Sequence, residues 1–247
     1  FLQEIPFQYL LKDISMKSIT HIPGFSSYHG RSYSKKNNLL AVSVGKPNFL
    51  DSDDEILLSY TRDNNPYGEN IGTLIFADKE SEYVSSIAAE YLDGETKNIN
   101  NPSESWVKQN ISKYDILHFS THSTNYAIKY DDCGIFLNQD SDNDGFFSGK
   151  EIEEIPLSGQ MVFLSGCESA TGEYEIGEGT ASIARSFLNA GASEVIATLW
   201  KVNDQSIFEL SSIIYKYYFN GTPVDEAVYL AQEEFQQDHP LLQFPFI

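Results

Sequence analysis

Short apolar runs that break off into small and polar residues recur along this chain. Leu39-Leu-Ala-Val-Ser-Val-Gly45, Tyr114 to Ser123, Met161-Val-Phe-Leu164 and Glu194 to Trp200 all have this form. A strand buried on both faces reads as a continuous apolar run, not as an alternation, and such strands belong to parallel sheets. Helical periodicity fills the gaps. Val84, Ile87, Ala88, Tyr91 and Leu92 share one face of a helix over 80–92, which Asp93-Gly94 stops. Pro102, close to a first turn, opens another helix before the strand that holds His122. Ile183, Ala184, Phe187 and Leu188 stripe a helix over 180–190 that ends at Asn189-Ala-Gly191. Two more helices, over 205–218 and 223–236, close the pattern. Strand and helix thus alternate from Leu39 to Phe235, which predicts an α/β fold: an αβα sandwich around a mostly parallel sheet.

The first 38 residues are irregular and lead into a domain over 39–247. Residues 51–70 and the acidic, glycine-rich stretch Gly172 to Gly179 read as surface loops. The chain starts at Phe1 without a basic leader or cleavage site, which suggests a processed chain or a domain cut from a longer protein. No apolar run approaches the length of a membrane span. The net charge of −20 argues against direct contact with nucleic acid or an anionic membrane, both of which need cations on the protein. It suits a basic substrate, and it suits solubility equally. The two cysteines, Cys133 and Cys167, form no disulfide framework, so reduced thiols in a cytoplasmic setting are expected. Cys133 is expected to pack in the sheet.

In an open α/β sheet, chemistry sits at the C-terminal tips of the strands. Cys167 follows Met161-Val-Phe-Leu-Ser-Gly at one such tip, and His122 ends another. A thiol nucleophile needs an imidazole near in space to manage protons, and backbone N–H donors for the oxyanion. Neighbouring parallel strands would provide the first and a tight turn the second. Buried cysteines are common for packing reasons alone; here the small residues on both sides leave the thiol open. His118 and His122 have the i, i+4 spacing of a helical zinc site. They lie on a strand, however, where four residues span about 13 Å, and Phe119 stands where a zinc protease motif needs Glu. His118 is therefore expected to be a buried support residue.

Five segments occur in a telling order: Leu117-His-Phe-Ser-Thr-His122, Phe163-Leu-Ser-Gly-Cys-Glu-Ser169, Gly177-Glu-Gly179, Phe187-Leu-Asn-Ala-Gly-Ala192 and Leu199-Trp-Lys-Val-Asn-Asp204. Together they resemble the CHAT domain, a caspase-like protease module often attached to helical repeats, with separase as a more distant relative. The resemblance runs from about residue 39 to 240. It implies a caspase-like sandwich, a Cys167–His122 dyad, and an oxyanion held by the backbone N–H groups of Cys167 and Ser123. Members commonly carry Gly where this chain has Ser123. The resemblance also implies a protein substrate, no cofactor for catalysis, and control by a regulatory protein or a fused repeat domain. Asp204 is a candidate for the pocket that takes a basic residue before the cut, since an acid in this region does so in separase-like enzymes. Either Asn203 or Asp204 would also serve as an N-cap. Glu168, Asp131 and Asp132 are further candidates for the same pocket.

A second motif is independent of the first. Asp140, Asp142, Asp144, Gly145 and Glu151 match the D-x-[DN]-x-[DN]-G-x5-E calcium loop, with Phe146 placed to offer its carbonyl. A strand precedes the loop in place of the usual helix, and a solvated acidic turn fits the same residues. The leading expectation is a cysteine endopeptidase. A catalytically silent scaffold or binding module, responsive to calcium or not, is the alternative.

Overall fold

The computed structural model describes residues 37–48, 73–124, 133–166, 174–175, 179–180, 182–198 and 203–238. The elements begin with β1 (Leu39–Val44), α1 (Ala77–Tyr91), β2 (Thr96–Asn100), α2 (Glu104–Asn110) and β3 (Ile116–Thr121). Next come β4 (Ser123–Thr124), β5 (Gly134–Phe136), β6 (Phe146–Ser148), α3 (Gly149–Glu153) and β7 (Met161–Leu164). The series ends with β8 (Tyr174–Glu175), β9 (Gly179–Thr180), α4 (Ile183–Ala190), β10 (Glu194–Ala197), α5 (Asp204–Phe219) and α6 (Val224–Asp238). Among the described residues, no helix is long and apolar enough to cross a membrane.

The central sheet has the order β10-β7-β3-β1-β2, and each pairing is parallel. This is the α/β sandwich expected from the sequence. Successive side chains of a strand point to opposite faces, and here both faces are covered. Leu40, Val42, Leu117, Phe119, Val162 and Leu164 pack with residues of α2, α3 and α4. Leu39, Ala41, Ile116, Met161 and Phe163 pack with residues of α1, α5 and α6. Full burial on both sides is why these strands read as unbroken apolar runs.

The edge strand β2 has no such run. Among the described residues, Thr96-Lys-Asn-Ile-Asn100 pairs with β1 alone, and each of its residues is partly or fully exposed, so nothing in its composition announces a strand. Two small antiparallel sheets stand apart from the central one. β4, β5 and β6 form the first. β8 and β9 form the second, within the stretch expected to be a plain loop. The helix ends follow the sequence signals. Ser103 caps α2, Ser148 and Glu151 form a capping box on α3, and Gly191 ends α4 at φ 123°, a region that favours glycine.

Phe119 is fully enclosed, with its ring 5.6 Å from that of Phe187 on α4. Phe119→Ala should cost about 3–5 kcal/mol in urea unfolding, through lost burial and the cavity left behind.

Candidate active site

Strand register brings the two tips together. β3 and β7 run side by side with Phe119 opposite Leu164. One step further, the Ser165 N–H donates to the Phe119 carbonyl at 2.8 Å. Gly166 follows, and its carbonyl accepts from the Thr198 hydroxyl at 2.7 Å. A Cβ on Gly166 would stand 2.8 Å from Ser123 Cβ and 2.9 Å from the Thr121 carbonyl, so the approach needs glycine. The end of β7 is therefore wedged against the residues on either side of His122. The His122 carbonyl accepts from the Phe136 N–H and from the Thr121 hydroxyl, both at 2.9 Å. Cys167, next in sequence after Gly166, lies outside the described residues, as do Glu168, Asp131 and Asp132. Cys133 is fully buried.

Beneath the tips lies a buried polar layer. Glu80 of α1 has no exposure. Its carboxylate accepts from the Ser120 hydroxyl at 2.6 Å and from the Ser165 hydroxyl at 2.8 Å. His118 Nε2 stands 3.5 Å from it, and His118 Nδ1 is 3.2 Å from the Tyr215 hydroxyl. Burial opposes the charge on Glu80. His118, Ser120 and Ser211 outweigh it and hold the carboxyl below its ordinary range. Burial and the Glu80 charge push the Tyr215 phenol well above its own range. His118 is thus the buried support residue expected from the sequence.

Asp204 opens α5, but it is not the cap. Asn203 takes that role, accepting from the N–H groups of Gln205 and Ser206. The Asp204 carboxylate is left to accept the Phe76 N–H at 2.8 Å, which ties α5 to the start of α1. Burial raises its pKa most, and Glu80 adds to the rise. The Phe76 and Ile75 amides and His122 pull the other way.

The acidic loop is organised around an internal cation. Among the described residues, no three His, Cys, Asp or Glu side chains converge as a metal would require. Asp140 turns inward to the Ser105 N–H and hydroxyl and to the N–H groups of Asp142 and Asn143. Asp144 accepts from the Phe146 N–H, and Glu151 from the N–H and hydroxyl of Ser148. The Lys108 ammonium sits among Asn143 Oδ1 at 2.5 Å, Glu151 Oε1 at 2.8 Å and Glu104 Oε1 at 2.5 Å. Gly145, at φ 90°, supplies the expected sharp bend, and its N–H binds Glu104. The carboxylates of Asp140, Asp144 and Glu151 thus each accept from nearby N–H or hydroxyl groups.

A family model for the CHAT domain matches residues 2–244. The chain belongs to the CHAT family. Solved structures with a similar fold include the complex of the pro- and mature domains of RgpB from Porphyromonas gingivalis. It is 9% identical over 82% of this chain, with a TM-score of 0.54. The Arg-specific cysteine proteinase gingipain R is 9% identical over 83%, with a TM-score of 0.51. The separase–securin complex of Saccharomyces cerevisiae is 15% identical over 80%, with a TM-score of 0.49. The CHAT chain spans 43% of each of the first two chains and 10% of the third. No curated protein sequence matches it. The fold is that of caspase-like cysteine proteases.

Sequence reasoning passed over Glu80, Tyr215 and Lys108. Glu80 had a visible signal: it stands four residues before Val84 and eight before Ala88, on the apolar stripe of its helix. An acid in that position is either misplaced or partnered. Lys108 had a local signal in Glu104 one helical turn before it, but its reach to Asn143 and Glu151 lies outside its own helix and nothing local marks it.

Burial pushes the Glu104 carboxyl up to about 7, helped by the charge of Glu151 and opposed by Lys108. The folded domain keeps this proton after the unfolded chain has released it, so stability falls as pH rises from 4.5 to about 7 and then levels off. Glu104→Gln should remove that slope, worth on the order of 3 kcal/mol. Urea unfolding of both proteins at pH 5 and pH 8 measures it.

Proposed function

We propose that this CHAT domain is a cysteine endopeptidase, with Cys167 as nucleophile and His122 as its proton partner. The wedging of Gly166 against Ser123 and Thr121 carries this reading. It brings the residue before Cys167 against the residues flanking His122, at the strand tips where α/β sheets present their chemistry. The fold it shares with cysteine proteases supports the same reading.

The thiolate attacks the scissile carbonyl, and the backbone N–H groups of Cys167 and Ser123 hold the oxyanion. Collapse breaks the C–N bond, and the amine leaves with a proton from His122. Water then attacks the thioester, His122 takes its proton, and the acid product leaves the regenerated thiol. No cofactor takes part. Asp204 confers preference for a basic residue before the cut. Gingipain R, which shares the fold, is described as Arg-specific. Glu168 and Asp132 belong to the same proposed pocket. The reading includes a protein substrate, a cytoplasmic setting, and control by a regulatory protein or an attached domain.

Wild type and Cys167→Ala, incubated with a positional peptide library with and without calcium, test it. Cleavage after basic residues is expected from the wild type and none from the variant. Equal cleavage by both would end the proposal, and none from either would favour a silent binding module. Asp204→Asn can still accept the Phe76 N–H. It should leave the melting temperature close to wild type and lower kcat/KM for arginine peptides by about 10–100-fold, the worth of a charge-assisted hydrogen bond.

A further inference from the structure

Glu80 grips both strands of the proposed dyad. Ser120 of β3 and Ser165, just after β7, each come one step beyond the paired Phe119 and Leu164. Both hydroxyls donate to the one carboxylate. His122 follows Ser120 by two residues, and Cys167 follows Ser165 by two. The anchor points thus come two residues before each proposed catalytic residue in the sequence.

The row extends to a third strand. Ser43 of β1 is the register partner of Ser120, and its hydroxyl donates to Asp78 Oδ1 at 2.7 Å. Asp78 and Glu80 both belong to the first turn of α1. Three neighbouring strands are therefore held by two acids of one helical turn. That turn is itself fixed, because Asp204 accepts the Phe76 N–H and the Phe76 carbonyl accepts from Glu80 N–H.

The chemistry calls for a carboxylate. Glu80 receives Ser120 on Oε2 and Ser165 on both oxygens, with His118 facing Oε1. An ionised carboxylate offers about four acceptor sites and no donor. A Gln in its place would turn an NH2 toward groups that are themselves donors. His118 completes the set when Nδ1 accepts the Tyr215 proton and Nε2–H faces Glu80.

We infer that Glu80 is a positioning residue for the proposed protease reaction: its buried carboxylate sets the spacing between the β3 and β7 tips from which His122 and Cys167 follow. The inference rests on the endopeptidase reading. Misplacement of reacting groups by about 1 Å costs on the order of 100-fold in rate, so a spacer two residues away has leverage on chemistry as well as on stability.

The test compares wild type with Glu80→Gln, and with the double variant Ser120→Ala plus Ser165→Ala, which releases the grip while leaving the charge in place. Far-UV circular dichroism first establishes that each is folded. Iodoacetamide labelling, read at Cys167 by mass spectrometry, and the His122 ring signal in a spectrum of five histidines then report the two tips without relying on turnover. On peptides that the wild type cleaves, kcat should fall about 10–100-fold with KM within about threefold. The labelling rate and the His122 signal should change in both variants. A folded Glu80→Gln protein with wild-type labelling and an unmoved His122 signal would overturn the inference. If Glu80→Gln does not fold, the same result in the double variant overturns it. If the wild type cleaves nothing, the endopeptidase reading suffers, while labelling and the His122 signal still decide the role of Glu80.

Discussion

A negative charge without solvent has to be met by donors or it is lost. Glu80 sits in that position, fully enclosed between α1 and the central sheet. Taking a carboxylate out of water costs several kcal/mol even after relaxation. The hydroxyls of Ser120 and Ser165 and the imidazole of His118 offset that cost. Those donors come from two different strands, so the charge is satisfied only in one relative arrangement of β3, β7 and α1. Apolar packing tolerates small slips; a shared carboxylate does not.

The period-two geometry of strands sorts the polar residues. Leu117, Phe119, Val162 and Leu164 face α2, α3 and α4, and this face stays apolar until Thr121 at the end of β3. The opposite face turns polar in its last positions, at Ser43, His118, Ser120 and Ser165. A second buried acid is handled in another way. Glu104 has the Lys108 ammonium one helical turn away, and the same ammonium reaches Glu151 and Asn143 across α3 and the acidic loop. One carboxylate is met by two hydroxyls and an imidazole under the sheet, the other by an ammonium at its side.

The sequence made the parallel sheet and its flanking helices legible, because burial on both faces leaves a pattern of apolar runs that Leu39–Val44 and Met161–Leu164 carry openly. The family was legible from ordered segments around His122 and Cys167, and His118 was placed in the core on strand geometry alone. Edge strand β2 was hidden, since Thr96-Lys-Asn-Ile-Asn100 answers to one neighbour and to solvent. The calcium-like spacing of Asp140 to Glu151 was plain; the contact that Lys108 makes with this loop was not. Lys108 stands on α2, and its approach to the loop is a tertiary fact. Glu80 was hidden by the opposite error, a helical stripe read for its apolar members and not for the acid that shares it.

His122 joins two sheets, standing between the end of β3 and the start of β4. The strand before it runs in the parallel sheet, yet the His122 carbonyl is bonded to Phe136 of β5, and Ser123 pairs with Ile135. β5 in turn pairs with β6, whose last residue caps α3. The small antiparallel sheet is thus coupled in series to the histidine, through hydrogen bonds that resist stretching better than bending. A pull on β5 or α3 is carried to the His122 backbone and on to the end of β7, because Gly166 packs against Ser123 and Thr121 while Glu80 holds Ser120 and Ser165 together. The small sheet is thus a handle on both tips.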